Sequence, residues 1–218
     1  MNDILTASNL YKSFGQGAGK VEVLRGLDIN VARGEFLAVM GPSGCGKSTL
    51  LHVLGLMTNH DEGSITFNGS DIPLAASARA EIRRKSIGFV FQRFNLISVL
   101  SAEDNVEISL KVRGATPKTP VNDLFEAMGI ADVAARKPSQ MSIGQQQRVA
   151  IIRALAHSPE ILFADEPTGN LDSESSAALL QLLGIINRET GQTIVMITHS
   201  ANAAAHADRI ITMSDGKC

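Results

Sequence analysis

A glycine-rich segment in the first quarter of the chain places the strongest constraint on its fold. The segment has the spacing of a phosphate loop, and it reads Gly41-Pro42-Ser43-Gly44-Cys45-Gly46-Lys47-Ser48-Thr49. The apolar run Phe36–Met40 before it is typical of a buried parallel strand, and residues 47–56 after it predict a helix. Glycines let successive N–H groups turn inward toward phosphate oxygens, and the helix start adds a positive dipole end. The flanking strand and helix favour this interpretation over a plain glycine-rich turn.

Individual residues of this segment have predicted roles at a bound phosphate chain. We expect Lys47 to reach the β- and γ-phosphates and the Ser48 hydroxyl to ligate Mg²⁺. Cys45 is expected to offer its backbone N–H, in preference to a redox role. The whole segment therefore forms the predicted phosphate-binding set of Gly41, Pro42, Ser43, Gly44, Cys45, Gly46, Lys47, Ser48 and Thr49.

Strands and helices alternate along most of the chain, which predicts a parallel α/β sheet. After the phosphate loop, strands are predicted at residues 64–67, 87–91, 161–165, 193–198 and 209–213. A helix is predicted at 173–190, ending at Gly191, and the mostly helical stretch 93–157 predicts an inserted helical subdomain. An N-terminal antiparallel layer is predicted from short strands at 5–8, 21–24 and 27–31. The sequence thus predicts one structural unit over residues 1–218.

Composition limits the partners that such a unit can have. The chain carries 20 basic and 22 acidic side chains, so a nucleic-acid-binding surface has no electrostatic support. The basic run at 83–85 is interpreted as a solvated helix end in preference to a phosphate or lipid site. No apolar run approaches the roughly 20 residues that span a bilayer, and the N-terminus lacks the features of a signal peptide. We therefore expect a cytosolic protein unless a partner carries it to a membrane.

Two adjacent carboxylates end a buried strand far downstream of the phosphate loop. Asp165 and Glu166 follow the apolar residues 161–164, the arrangement known as Walker B. Asp165 at the strand end is expected to hold Mg²⁺, directly or through water. Glu166 is expected to polarise a water molecule aimed at the γ-phosphate. Acidic pairs also occur on solvated surfaces, so the functional interpretation of this pair depends on the phosphate loop that precedes it.

Polar residues follow two further predicted strands at the edge where parallel sheets bind ligands. His199 comes after the strand at 193–198 and is a candidate to hydrogen-bond the γ-phosphate and position the water. A histidine at the start of a loop is an equally good interpretation from position alone. Gln92 ends the strand at 87–91 and is a candidate contact for Mg²⁺ or the attacking water.

An aromatic residue upstream of the phosphate loop is a candidate platform for a base. Tyr11, with Phe14 nearby, precedes the loop by about thirty residues. A ring there would stack on adenine, by analogy with base stacking in nucleic-acid-binding proteins. Core packing competes for both rings, and we favour Tyr11, the only tyrosine in the chain.

The segment between the two motifs narrows the class further. It reads Met141-Ser142-Ile143-Gly144-Gln145-Gln146-Gln147-Arg148 and leads into an apolar-striped helix. This segment resembles the signature of ATP-binding cassette (ABC) ATPases, and the motifs occur in the order of that family. The residues of three segments, 88–92, 146–151 and 165–173, resemble those of the lipoprotein-release, macrolide-export and cell-division group of bacterial ABC ATPases.

The resemblance implies a role for each motif. Tyr11 matches the A-loop aromatic, Gln92 the Q-loop, His199 the switch histidine and Asp172 the D-loop. ATP and Mg²⁺ are the implied ligands. A head-to-tail dimer of two copies is also implied, in which the signature of one copy contacts the γ-phosphate held by the other. The implied signature contacts are Ser142, Ile143, Gly144 and Gln145.

The implied task is to drive an integral membrane permease subunit, with the ATPase peripheral on the cytoplasmic face of the inner membrane. A soluble single-cassette ATPase that acts as a regulator or assembly scaffold is the alternative. The sequence departs from the family pattern in two places. Ile143 stands where a glycine is expected, so either the backbone there is ordinary or dimer closure is loosened. Ser200 follows His199 where the group has an acidic residue, which leaves the orientation of that histidine open.

Overall fold

The computed structural model describes residues 3–73 and 75–218 and arranges them as two sheets with surrounding helices. One sheet is antiparallel, with strand order β2-β1-β4-β5. Its strands are β1 (Asp3–Phe14), β2 (Val21–Ala32), β4 (Glu62–Phe67) and β5 (Ser70–Asp71). The other sheet is parallel, with order β6-β7-β8-β3-β9. Its strands are β3 (Phe36–Met40), β6 (Ile87–Val90), β7 (Ile161–Asp165), β8 (Thr193–Thr198) and β9 (Arg209–Thr212).

Helices lie between these strands in the chain. They are α1 (Lys47–Leu54), α2 (Ala76–Ser86), α3 (Ala102–Arg113), α4 (Val121–Ala127), α5 (Ile143–Leu155), α6 (Ser173–Thr190) and α7 (Ala201–Ala204). The predicted architecture of an antiparallel layer, a parallel sheet and a long helical stretch is confirmed. Within residues 3–73 and 75–218, no helix combines the length and apolarity needed to cross a membrane.

The parallel sheet is buried on both faces because successive side chains of a strand point to opposite sides. In β3, Leu37 and Val39 belong to the apolar cluster shared with α1 and the antiparallel sheet. Phe36 and Ala38 belong to a second cluster, on the side of α3, α5 and α6. Continuous apolar strands are therefore required, and the carboxyl ends of all five meet at one edge.

Several predicted bounds differ from the structure. The predicted strands at 21–24 and 27–31 are one strand, β2, because a register shift at Gly26 (φ 69°) bends the ladder without ending it. The stretch predicted to become helical at 93 does so only at α3, where Ser101 and Asp104 form a capping box. The helix predicted at 47–56 ends at Leu54.

Helix α2 was predicted only as a helix end, because it has no apolar periodicity. Arginine contacts to the main chain hold it: Arg79 donates to the Thr58 carbonyl at 3.0 Å, and Arg83 donates to that of Leu56 at 2.6 Å. The predicted bounds at 161–165, 173–190 and 193–198 are confirmed by the observed elements.

Candidate active site

The phosphate loop lies between the carboxyl end of β3 and the start of α1. Gly46 adopts φ 106° immediately before the helix, a conformation that favours glycine. Lys47 is 5% exposed, and its Nζ donates to the carbonyl oxygens of Gly41 at 2.7 Å and Pro42 at 2.8 Å. Its ammonium is therefore fixed inside the loop.

A cavity of about 420 Å³ opens beside this loop. It is lined by Val23, Ser43, Gly44, Gly46, Lys47, Ser48, Thr49 and Glu166. The predicted residues Gly41, Pro42 and Cys45 support the cavity without lining it. The Cys45 thiol is buried, 3.9 Å from Lys47 Nζ. A Cβ at Gly41 would lie 2.2 Å from the Met213 carbonyl oxygen, so the turn there has no room for a side chain.

The two strand-end carboxylates face different neighbours. The Ser48 hydroxyl donates to Asp165 Oδ1 at 3.4 Å, which joins the start of α1 to the end of β7. Burial is the largest cause that raises the pKa of Asp165, and the nearby His52 and the Ser48 hydrogen bond act against it. A hydroxyl and a carboxylate side by side are hard oxygen ligands of the kind that Mg²⁺ takes together with waters and phosphate oxygens. Among the described residues, no group of three or more His, Cys, Asp and Glu side chains could form an all-protein metal site.

Glu166 is held by its neighbours in an uncommon backbone conformation. Its φ is 42°, and its N–H donates to the Ile197 carbonyl at 3.0 Å. Non-glycine residues with such angles cluster where the surroundings over-determine the backbone, often at functional sites. His199 Nδ1 lies 2.6 Å from Glu166 Oε2, and the glutamate side chain is 17% exposed. The contact orients both side chains, which the sequence could not establish.

Ser200, the departure after the histidine, has a local role. Its hydroxyl accepts a hydrogen bond from the Ala203 N–H at 3.3 Å and caps α7. Its own N–H donates to the Thr198 hydroxyl at 3.0 Å. The orientation of His199 is therefore set by Glu166 and not by the residue that follows it.

Gln92 lies beside the loop that follows Glu166. Its backbone carbonyl accepts a hydrogen bond from Asn170 Nδ2 at 2.8 Å. Its side chain passes close to Gly169, where an added Cβ would lie 2.9 Å from Gln92 Nε2. These two contacts were missed from the sequence, because nothing in either segment indicates that residues 78 positions apart meet.

The predicted signature residues form the start of α5. Ser142 is the N-cap: its hydroxyl accepts from the Gln145 N–H at 3.2 Å, and its own N–H donates to Gln145 Oε1 at 2.9 Å. Ile143 is the first helical residue and is 51% exposed. A Cβ at Gly144 would meet only Ser175, at 3.6 Å, which is an ordinary contact. The fold of one chain therefore does not itself require glycine at 144.

A separate cavity of about 240 Å³ lies beside the signature residues. It is lined by Gly129, Ile130, Ser142, Gly144, Gln145, Arg148, Leu171, Ser175 and Leu179. None of these residues lines the phosphate cavity. Nearby, Asp172 caps α6 by accepting from the Ser175 N–H at 2.9 Å and hydroxyl at 2.8 Å, and these hydrogen bonds lower the pKa of Asp172.

The two candidate aromatic rings lie in different surroundings on β1. The Tyr11 hydroxyl would be 2.8 Å from a Cβ at Gly26, so the ring packs across β2 and is half-buried. Phe14 is 48% exposed and pairs across the ladder with the exposed Val21. The strand β2 also places Val23 against the phosphate loop. Phe14 is thus the more exposed of the two rings, and Lys12 Nζ lies over it, 5.3 Å from the ring centroid.

Comparison with known proteins gives a consistent result. The sequence profile of the ABC transporter family matches residues 24–169. The lipoprotein-releasing system ATP-binding protein LolD of Geobacter metallireducens is 40% identical over 221 residues, which cover 100% of this chain and 98% of that protein. The macrolide export ATP-binding/permease protein MacB 1 of Aeromonas hydrophila is 44% identical over 217 residues, which cover 98% of this chain and 33% of that protein. The chain thus spans about a third of the length of that relative.

Solved structures agree with the sequence comparison. The dimeric structure of MJ0796, a bacterial ABC transporter cassette, matches with a TM-score of 0.88 at 38% identity and covers 98% of this chain and 95% of that one. A dimeric post-hydrolysis state of MJ0796 bound to ADP and Pi matches with a TM-score of 0.87 at 39% identity, over 98% of this chain and 95% of that one.

A phosphate loop, a strand-end carboxylate pair and a capped signature helix on one parallel sheet define an ATPase of the phosphate-loop class. The family match extends over well more than half of the chain. The chain belongs to the ABC transporter family, and it is an ATP-binding cassette that hydrolyses ATP.

Proposed function

We propose that the chain is the ATPase subunit of a bacterial transporter or mechanotransmission complex, and that two copies close head to tail around two ATP molecules. The observation that carries the proposal is the separation of the phosphate cavity from the signature cavity, which share no lining residue. One chain therefore presents two half-sites. The MJ0796 cassette is a dimer, which supports the same arrangement here.

The start of α5 has the chemistry to bind the partner's phosphate. The Ser142 hydroxyl accepts from the helix, so its proton remains available for a phosphate oxygen. The helix N-terminus adds unpaired N–H groups and a positive dipole end. Packing within the chain does not require a glycine at position 144, so its small size suits a position that another molecule approaches closely. We assign Ser142, Ile143, Gly144 and Gln145 to the contact in trans, with Asp172 beside them.

Hydrolysis needs a base next to the γ-phosphate, and Glu166 is the candidate. Its carboxylate accepts a proton from the attacking water as the water oxygen bonds to the γ-phosphorus and the bond to the β–γ bridging oxygen breaks. His199 donates from Nδ1 to the same carboxylate and fixes its direction. The second ring nitrogen of His199 can donate to a phosphate oxygen when the ring carries both protons, because the Nδ1 proton is already given to Glu166. Gln92 completes the predicted catalytic set from the neighbouring loop.

Lys47 and Ser48 are assigned to the phosphates and the metal. The Lys47 ammonium is already held by two carbonyls in the loop, so little ordering is needed when phosphates bind. Ser48 and Asp165 fit Mg²⁺, with Gln92 as a further oxygen ligand. The metal, when bound, neutralises charge that develops on the phosphate oxygens.

A groove beside the loop that follows β6 suits a membrane permease subunit. It has a volume of about 570 Å³ and lies between α2, β6 and α3, with the stacked rings of Phe89 and Phe91 in its wall. Arg113 and Arg153 border it, and within residues 3–73 and 75–218 neither makes a salt bridge. We propose that a short permease helix with apolar residues and a carboxylate docks there. The ATPase would then be peripheral on the cytoplasmic face of the membrane, with residues 93–157 as its helical subdomain.

The replacement Glu166→Gln tests the assigned chemistry. We expect ATP turnover to fall at least a hundredfold, because general base catalysis contributes 10²–10⁴-fold, and an ATP-bound dimer to persist on size exclusion with light scattering. Glu174→Gln, an exposed glutamate in the first turn of α6, is the matched control. Turnover at the wild-type rate in the first variant would remove Glu166 from its role.

Co-purification separates the transporter reading from a soluble scaffold ATPase. Val112 is 77% exposed on the groove, so Val112→Glu should abolish binding to a co-expressed membrane subunit and leave basal turnover intact. Ile185→Glu, on an exposed position of α6, is the control. If no membrane protein co-purifies with the chain under any condition, the soluble scaffold ATPase would be favoured.

A further inference from the structure

The loop after β6 touches both the groove and the active site. Phe91, Asn95 and Ile97 line the groove, while Gln92 lies against the loop that follows Glu166. The seven residues 91–97, which we call the groove loop, therefore border both the proposed permease-docking groove and the proposed site of ATP hydrolysis. What holds its main chain decides whether a change at one surface reaches the other.

One hydrogen bond holds the active-site end of this loop. Asn170 Nδ2 donates to the Gln92 carbonyl at 2.8 Å. Within residues 3–73 and 75–218, the Asn170 side chain makes no other hydrogen bond. Asn170 is exposed. Next to it, Gly169 leaves room for the Gln92 side chain, which an added Cβ would approach to 2.9 Å.

The loop that carries Asn170 is stiff. The Gly169 N–H donates to the Glu166 carbonyl at 3.0 Å, and the Leu171 N–H donates to that of Thr168 at 3.0 Å, so two turns follow one another. The segment ends at the N-cap Asp172. These turns connect Asn170 to Glu166 through a short hydrogen-bonded stretch of main chain.

A second tether holds the middle of the groove loop, the segment 91–97. Arg153, on the helix that begins at the signature, donates to the carbonyls of Phe94 at 2.7 Å and Asn95 at 2.5 Å. Side chains from other elements thus hold the main chain at Gln92, at residues 94–95 and at Ile97, whose N–H and carbonyl are hydrogen-bonded to Asn105. Asn170 supplies the link to the catalytic glutamate, and Arg153 supplies the link to α5.

We propose that Asn170 is a positioning residue for ATP hydrolysis: it holds the main chain of Gln92 against the loop that follows Glu166, so that the groove loop and the catalytic loop move together. The inference rests on the proposed function, since it takes Glu166 as the base. It assigns to Asn170 no contact with ATP.

Steady-state kinetics and hydrogen exchange on Asn170→Ala test the link. If the variant loses transition-state stabilisation equal to one neutral hydrogen bond, kcat should be about fivefold lower. KM for ATP should be unchanged, because Asn170 does not line the phosphate cavity. Amide exchange in residues 92–97 should rise about fivefold. Asn170→Gln, which keeps an amide donor at an exposed site, should recover at least half of the lost kcat. Asn122→Ala, an exposed asparagine of α4, is the control.

The outcomes separate the inference from the function on which it rests. Wild-type turnover in Glu166→Gln would overturn the assignment of Glu166 as the base, and with it the inference that rests on that assignment. If Glu166→Gln is inactive but Asn170→Ala keeps wild-type kcat and wild-type exchange in residues 92–97, the positioning role is wrong. A lower kcat without faster exchange would likewise refute the link, because Asn170 would then act on the catalytic loop alone.

Discussion

Replacing Ile143 by glycine tests whether the departure from the family signature slows the enzyme. Ile143 is the first residue of α5, its φ is not positive, and half of its side chain is exposed. The backbone there is ordinary helix, which isoleucine tolerates. Of the two interpretations of Ile143, an ordinary backbone and a loosened dimer, the first therefore holds for the single chain. Backbone strain at Ile143 gives no reason to expect a loosened dimer. We expect the wild-type residue to assist dimer closure.

The size of the effect follows from the exposure of Ile143. Full burial of an isoleucine contributes about 1.5–3 kcal/mol, so the buried half contributes about 1 kcal/mol to folding. Glycine adds up to about 1 kcal/mol of backbone entropy, for a total of about 1–2 kcal/mol, or a Tm roughly 2–8 °C lower in a chain of this size. The exposed half, once covered by a partner, contributes about 1 kcal/mol at each of the two signature contacts, so about 2 kcal/mol per dimer, or roughly thirtyfold in the dimer dissociation constant.

Sedimentation equilibrium with ATP in a Glu166→Gln background measures that constant, and turnover is measured in the otherwise unchanged chain. Ile143→Gly should weaken the dimer roughly thirtyfold, since both signature contacts lose the side chain, and leave kcat at saturating protein within twofold. Ile143→Ala separates loss of the side chain from added backbone freedom, and should weaken the dimer nearly as much with a smaller fall in Tm. A tenfold gain in kcat with glycine would refute this reasoning.

Three further outcomes are expected. Tyr11→Leu should raise KM for ATP about fivefold or more and Phe14→Leu should change it little, because Lys12 Nζ already lies over the Phe14 ring, 5.3 Å from its centroid; the reverse pattern would move the adenine platform to Phe14. Ser48→Ala should raise the Mg²⁺ concentration for half-maximal turnover about tenfold, while Ser48→Thr keeps the hydroxyl and should not. Burial and the Arg113 charge lower the pKa of His157 to about 4, so the unfolded chain binds the proton first and stability is lost as pH falls from about 6.5 toward 4. From pH 7 to 5 urea unfolding should show about 1–2 kcal/mol less stability, and His157→Gln should remove that part of the slope.

Elements with strong local signals could be predicted from the sequence, and those held by distant contacts could not. The strands at 161–165 and 193–198 are continuous apolar runs buried on both faces, so their bounds are visible in the residues alone. Helix α2 has mostly polar residues and depends on carbonyls in the loop at 56–58. The late start of α3 depends on Asn105, which hydrogen-bonds the backbone of Ile97 and Ser101 in the preceding loop.

The same division applies to the candidate site. Lys47 and Ser48 follow from spacing within one loop, and the structure brings Ser48 to Asp165 because the two strands share one edge. The contact of His199 with Glu166 and that of Asn170 with Gln92 join loops that follow different strands. Such contacts depend on sheet order and register, which no local pattern specifies. The exposure of Tyr11 and Phe14 on β1 likewise depends on the bulged pairing of this strand with β2, which no local pattern specifies.

The two tethers of the groove loop act on different active sites of the proposed dimer. Asn170 holds the loop to Glu166, which serves the ATP bound by its own chain. Arg153 holds it to α5, whose first turn serves the ATP bound by the partner. One docked permease helix would therefore act on both sites at once, in cis through Asn170 and in trans through Arg153. In mixed dimers with a single intact site, Asn170→Ala should slow turnover only when it shares a chain with the working Glu166, and Arg153→Lys only when it lies in the other chain. Equal effects from either chain would mean that the loop does not divide its contacts in this way.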